Sequence, residues 1–216
     1  MEVDQIPIEL IKLGGDTVSH TLTLLMNLFL QYESTPEEWS KGEIVPVLKN
    51  IGMDRCDPAS YRPVTLLPHL SKVYTSILNT RLSKWCEQQG ILHEGQGGFR
   101  EGRSAVDHLY TLYTLCKTNA RAGHGTYLCF VDFVKAYDNV WRDGLWWKLQ
   151  HEFGIGGKLL RVLRQLYDGV QSRYTLNGQY QTSWVTMAKG LRQGCVLSPL
   201  LFTVLEISYR APPPPL

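Results

Sequence analysis

At 216 residues, 44% hydrophobic and 19% charged, the chain can build a sizeable core in one large domain or two small ones, which excludes general disorder. A net charge of only +2 does not by itself mark a polyanionic partner. The charge is uneven, however: three basic against nine acidic residues through Asp54 (−6), then 19 against 11 from Arg55 onward (+8), which favours an anionic partner for the C-terminal part.

In chain order, residues 17 to 32 (TVSHTLTLLMNLFLQY) have the apolar spacing of an amphipathic helix that ends before Pro36. Its most apolar stretch, Leu22 to Leu30, is about half a membrane span and lacks the basic flank of a signal peptide, so no membrane partner is expected. GEIVPVLKN reads as a short strand, and Pro46 within it predicts an edge position. IGMDRCDPAS is a loop by composition. Residues 69 to 89 place Val73, Ile77, Leu78, Leu82 and Trp85 at helical spacing, with Gly90 as the stop. Ser104, with Asp107 three residues on, predicts an N-capped helix to about Ala120.

TYLCFVDF, residues 126 to 133, is a nearly continuous apolar run closed by Asp132, the pattern of a strand buried on both faces. Helices are predicted over 141 to 151 and 156 to 168. A hairpin over 173 to 187 turns on Asn177-Gly178, and a last helix opens at Ser198-Pro199. This order predicts an α+β fold with a mostly antiparallel sheet. The closing APPPPL is low-complexity polyproline outside any core.

Five widely spaced cysteines without a CxxC pair exclude a zinc ribbon or disulfide framework and favour a reducing, intracellular compartment, nuclear or cytoplasmic. Gly157-Lys158 is no P-loop, because Glu152 and Leu159 stand where Gly and Ser or Thr are needed. Two segments carry chemistry. In FVDFVKAYDNV, Asp132 at the end of an apolar run needs a cation or a dense hydrogen-bond set, unless it is a turn residue and Asp138 a helix cap; spacing alone leaves both open. In GLRQGCVLSPLLF, glycines bracket Arg192-Gln193, which lets backbone approach a flat ligand or simply makes a turn.

Taken together, SYRPVTLLPHLSKVYTSILNTRL, GQGGFREGRSAVDHL, CFVDFVKAYDNV and GLRQGCVLSPLLF resemble, in order, successive blocks of the reverse transcriptases of non-LTR (LINE-like) retrotransposons. EEWSKGEIVPVLKN resembles the block before them, so the likeness spans roughly residues 20 to 207. It implies an RNA-directed DNA polymerase shaped as a partial right hand. Residues 1–40 would be a helical extension, 41–125 fingers-like, 126–207 a partial palm with antiparallel sheet, and 208–216 a disordered polyproline tail, with the thumb absent.

By the same resemblance, Asp132 and the Phe133 carbonyl would be ligands of two catalytic Mg²⁺ ions, and Tyr137 the aromatic gate beneath the sugar. Gln193 and Gly194 would lie along the incoming nucleotide, and Lys49 and Arg62 would face its triphosphate. Gln96, Phe99 and Arg100 would support the template, with Arg103, Lys117 and Arg121 adding nonspecific phosphate affinity. RNA template, DNA primer and dNTP are the implied partners.

One departure matters. The sequence leaves the family pattern near LEISYR and contains no aromatic-Ala-Asp-Asp block, so two of three catalytic carboxylates are missing. The expectation is a truncated reverse transcriptase, inactive alone, with doubtful Mg²⁺ binding and an uncovered TYLCFVDF run. The alternative is a non-catalytic RNA-binding remnant. A metal-dependent hydrolase built on Asp132 and Asp138 ranks last.

Overall fold

The computed structural model describes residues 6–176 and 178–207. Its helices are α1 (Ile8–Leu13), α2 (Gly15–Tyr32), α3 (His69–Gln88), α4 (Ala105–Arg121), α5 (Arg142–His151), α6 (Gly157–Gln165) and α7 (Ser198–Glu206). Its strands are β1 (Lys41–Leu48), β2 (Tyr61–Leu66), β3 (Gln171–Leu176), β4 (Tyr180–Gln181) and β5 (Val185–Thr186). A mixed α/β fold around one small sheet results. The polyproline tail lies outside the described residues.

Local signals set most of these elements. α4 starts at a complete capping box: the Ser104 side chain accepts from the Asp107 N–H while the Asp107 carboxylate accepts from the Ser104 N–H at 2.8 Å. α3 buries Tyr74, Leu78, Leu82 and Cys86, a stripe at four-residue spacing, and Gly90 beyond its end has φ +63. α2 ends at Glu33 in the left-handed region, and that carboxylate takes two 2.6 Å bonds from Arg161 of α6. The predicted hairpin forms as β3–β4, with Gly178 at φ +68; its other turn residue, Asn177, lies outside the described residues.

The sheet order is β2-β1-β3-β4, with β5 also pairing β3. β1 pairs β2, and β3 pairs β4 and β5, antiparallel, whereas β1 and β3 run parallel over Lys41–Ile44. The expected edge position of β1 is therefore overturned: it lies inside the sheet. Its ladder with β3 stops before Pro46, and on the β2 side Pro46 faces Pro63, so the missing N–H falls where no ladder bond is required. Buried Glu43 of β1 stands opposite Arg173 of β3 and pairs with it and with Thr175, which compensates its charge.

A single hydrophobic core draws on α3, α5, α6 and α7 together with Trp39 and Leu67. Phe29 packs edge-on against Trp39 (5.1 Å) and Tyr74 (6.1 Å), closing α2 over that core. This core and the sheet both use residues from either side of position 125.

The second correction concerns residues 126–133, which form no strand. Tyr127 is fully exposed, Phe130 and Val131 about four-fifths exposed, and Asp132 is exposed as well. A strand needs a neighbour to complete its ladder, and among the described residues none lies alongside. α4, just before it, buries no residue; Asn119 donating to the Thr126 hydroxyl at 3.0 Å is one tie between the two.

Candidate functional site

Two segments singled out in the sequence meet. The Leu191 N–H donates to the Tyr137 carbonyl at 2.8 Å, and the Gly190 N–H to the Val140 carbonyl at 2.9 Å. Gly190 sits at φ +88, and a Cβ there would come 2.9 Å from the Asp138 carbonyl oxygen, so this close approach requires glycine. On its other flank the loop is bound to β2: the Thr65 N–H donates to the Gln193 carbonyl at 2.8 Å. Gly194, at φ +113, has no room for a Cβ against the Thr65 carbonyl.

Two arginines brace this arrangement. Arg142, at the start of α5, donates to the carbonyls of Gly190 and Met187 (both 2.8 Å), Tyr167 (3.1 Å) and Lys189 (3.2 Å). Burial is the largest influence on its pKa, which is lowered. Arg192, buried within the loop itself, donates to the Trp39 carbonyl at 2.6 Å and the Leu166 carbonyl at 3.1 Å, and lies over the Tyr167 ring. Sequence reasoning missed both roles. The glycines around Arg192 advertised its loop, but nothing local announces a bond to Trp39.

The predicted site residues fall into three places. Phe133 and Tyr137 both pack on Phe202 of α7, with ring centroids at 5.8 and 5.4 Å, and burial raises the Tyr137 phenol pKa. Asp132, next in sequence to Phe133, is exposed and has no ion-pair partner among the described residues. The expected buried carboxylate is thus overturned. With no neighbouring strand to cover it, water solvates Asp132 and no desolvation cost calls for a cation.

Lys49 and Arg62 meet at one end of the β1–β2 ladder, where Val47 faces Arg62; both are exposed, and Lys49 Nζ donates to the Ala59 carbonyl at 2.8 Å. Gln193 reaches the same strand as Arg62 through Thr65. Gln96, Phe99 and Arg100 lie together on the α3–α4 loop. Arg100 is 9% exposed and grips Glu87 through two bonds (2.8 and 2.6 Å) and the His93 and Gln96 carbonyls through two more. The Arg100 hydrogen bonds are the main reason the Glu87 carboxyl lies below its ordinary range. Phe99 is two-thirds exposed, with a left-handed φ of 60.

For metal chemistry the donor set is thin. Asp132 supplies one carboxylate and Phe133 one carbonyl, and among the described residues no three His, Cys, Asp or Glu side chains converge as ligands. Mg²⁺ demands octahedral oxygen coordination, so these residues do not fit a two-ion site. Among the described residues no helix is long and apolar enough to cross a membrane.

A family model described as reverse transcriptase (RNA-dependent DNA polymerase) matches residues 48–206. The chain is 30% identical over 193 residues, 89% of its length, to a probable RNA-directed DNA polymerase from transposon X-element of Drosophila melanogaster. It is 31% identical over 194 residues, 88% of its length, to a probable RNA-directed DNA polymerase from transposon BS of the same fly. To the RNA-directed DNA polymerase from mobile element jockey it is 27% identical over 90% of its length. In each case it spans 21% of the relative.

Proposed function

The chain belongs to the reverse transcriptase family, and on that premise we propose that it is the part of a non-LTR retrotransposon polymerase that receives the incoming deoxynucleotide and the RNA template. Residues 41–125 serve as fingers and 126–207 as part of the palm. One observation carries the reading: the turn after Asp132 and the loop of Gln193 are hydrogen-bonded into one unit at Tyr137 and Leu191. A nucleotide resting on that unit meets groups of suitable chemistry. Tyr137, held against Phe202, lies beneath the sugar and excludes a 2′-OH. The backbone at Gln193 and Gly194 lies along the base. At the nearby strand end Arg62 offers a bidentate fork to phosphate and Lys49 a point charge.

Template support comes from the α3–α4 loop. Arg100 acts there indirectly, by fixing the loop that presents Gln96 and Phe99. The family uses divalent cations, but Asp132 and the Phe133 carbonyl do not by themselves fit a two-ion Mg²⁺ site. A lone carboxylate does not organise two ions around a primer 3′-OH, so the 216-residue chain is not expected to extend a primer by itself. Five free thiols support a reducing compartment. The RNA-binding-remnant reading is not better supported: Arg100 is engaged by Glu87 and Arg103 by Glu94 at 2.5 Å, while Lys117 and Arg121 stay exposed.

Photo-crosslinking of an azido-dUTP to the purified chain tests the nucleotide site. Labelling should fall several-fold in Tyr137→Ala and in Arg62→Ala; unchanged labelling in both refutes the assignment. Primer extension with RNA template, dNTPs and Mg²⁺ should give no product. Extension that disappears in Asp132→Ala would refute the expected inactivity.

A further inference from the structure

Arg142, which holds the 190–194 loop, also walls a cavity of about 680 Å³ that Asp132, Tyr137 and Gln193 do not line. Two of its aromatic walls are poor candidates for core residues: Trp141 is 69% and Trp147 55% exposed. Both are nonetheless held in place. Trp147 stacks on His151 at 4.9 Å and 20°, and the Trp141 ring lies so close over Gly144 that a Cβ there would collide with it. Positions 144, 147 and 151 share one face of α5, so both indoles line the cavity along that side of the helix.

Asp143, Asp168 and Arg164 also line the cavity, and among the described residues none of the three is in an ion pair. Asp143 lies one turn from Trp147 on the same face. Indole faces accept the face of any base. A carboxylate is more selective: guanine offers it two adjacent donors, N1–H and the exocyclic amine, whereas the Watson–Crick edges of adenine, cytosine and uracil place an acceptor beside each donor. An arginine without a carboxylate partner suits phosphate. The volume is that of a small-molecule site.

From this juxtaposition we propose that the cavity binds a guanine nucleotide. The base lies against the indoles of Trp141 and Trp147, its donor edge meets Asp143, and its phosphate faces Arg164. The guanine can be a free nucleotide or an unpaired residue of an RNA strand, which share this chemistry. The site is independent of the deoxynucleotide site proposed above.

Calorimetric titration of the full chain tests the proposal, with GMP, AMP and UMP as probes; monophosphates avoid the triphosphate groups at Lys49 and Arg62. GMP should bind about tenfold or more tighter than AMP or UMP. Trp147→Ala should weaken GMP by about 5- to 150-fold, the range for loss of one stacked base. Asp143→Asn, at an exposed position, should erase the preference for guanine, because a carboxamide loses the second acceptor and suits a donor–acceptor edge instead. Asp132→Ala should leave GMP binding unchanged, which separates this cavity from the polymerase site. Tighter binding of an oligouridylate with one central guanosine than of GMP identifies a strand ligand; binding of GMP alone identifies a free nucleotide. Equal affinity for the three monophosphates, no binding of GMP or the oligomer, or guanine preference surviving in Asp143→Asn overturns the proposal. So does binding of the proline-rich peptide SYRAPPPPL in place of GMP.

Discussion

Replacing Gly194 by Ala tests whether the 190–194 loop is fastened to β2 as tightly as the geometry requires. The position combines a φ of +113 with a virtual Cβ that runs into the Thr65 carbonyl oxygen. Holding an L-residue in that backbone region costs about 1–3 kcal/mol. The clash cannot be relieved by a side-chain rotation, because the obstructing atom belongs to the backbone of a paired strand, where Thr65 faces Ile44 of β1. The loop must instead part from β2. That lengthens the 2.8 Å bond from the Thr65 N–H to the Gln193 carbonyl, a further loss of about 0.5–1.5 kcal/mol. A total of about 1.5–4.5 kcal/mol follows, which should lower the urea midpoint by about 0.5–2 M at a slope near 2–3 kcal/mol/M. Tryptophan fluorescence can follow the transition. Gly52→Ala is the control, since nothing lies within 4 Å of a Cβ at that position. If the two variants unfold at the same midpoint, the fastening of the loop to β2 is refuted, and with it the physical basis for a shared unit of Tyr137 and Gln193.

Two further outcomes follow from the same contacts. Cys56 and Cys129 are exposed while Cys86 and Cys195 are buried, and burial pushes the Cys86 thiol up to about 12. Iodoacetamide should therefore modify Cys56 and Cys129 in the native chain and reach Cys86 only after unfolding; protection of Cys129 would show that residues 126–133 are covered. Glu87→Gln should cost about 1–2 kcal/mol at pH 7, because Arg100 is left buried while solvent already screens part of the pair. The Glu87 pKa is lowered in the folded chain, so its contribution is present above the unfolded carboxylate value and disappears as pH falls through the folded one. The gap in urea midpoint between wild type and variant should consequently close at acid pH, below the ordinary carboxylate range. An equal gap at both pH values would contradict the ion-pair explanation.

How much of this could be read from residues alone differs by element. The α4 capping box, the α3 helix with its Gly90 stop and the β3–β4 hairpin were legible, because each is set by contacts a few residues apart. Of the apolar positions expected in α3, Leu78 and Leu82 are buried, whereas Ile77 is exposed and Tyr74 and Cys86 complete the buried stripe. The chemistry-bearing blocks were legible as a family pattern, and the Tyr137–Val140 end of FVDFVKAYDNV does meet the Arg192-Gln193 loop, through Leu191 and Gly190. Two expectations failed for one shared reason. Pro46 described what β1 could not donate, yet the choice of β2 and β3 as its neighbours rested on residues far along the chain. TYLCFVDF described side chains that favour burial, but apolar character does not supply a partner strand, and the run stays exposed without one.

Local pattern thus determined where most of the helices form and stop, and the ordered blocks carried the resemblance to the family. Tertiary structure alone decided that Arg142 and Arg192 brace the loop beside Tyr137, that Asp132 faces water, and that two indoles line a second cavity. Helix and turn propensities act within about four residues, whereas burial and hydrogen-bond partners depend on surfaces brought together from distant positions, as between Arg192 and Trp39.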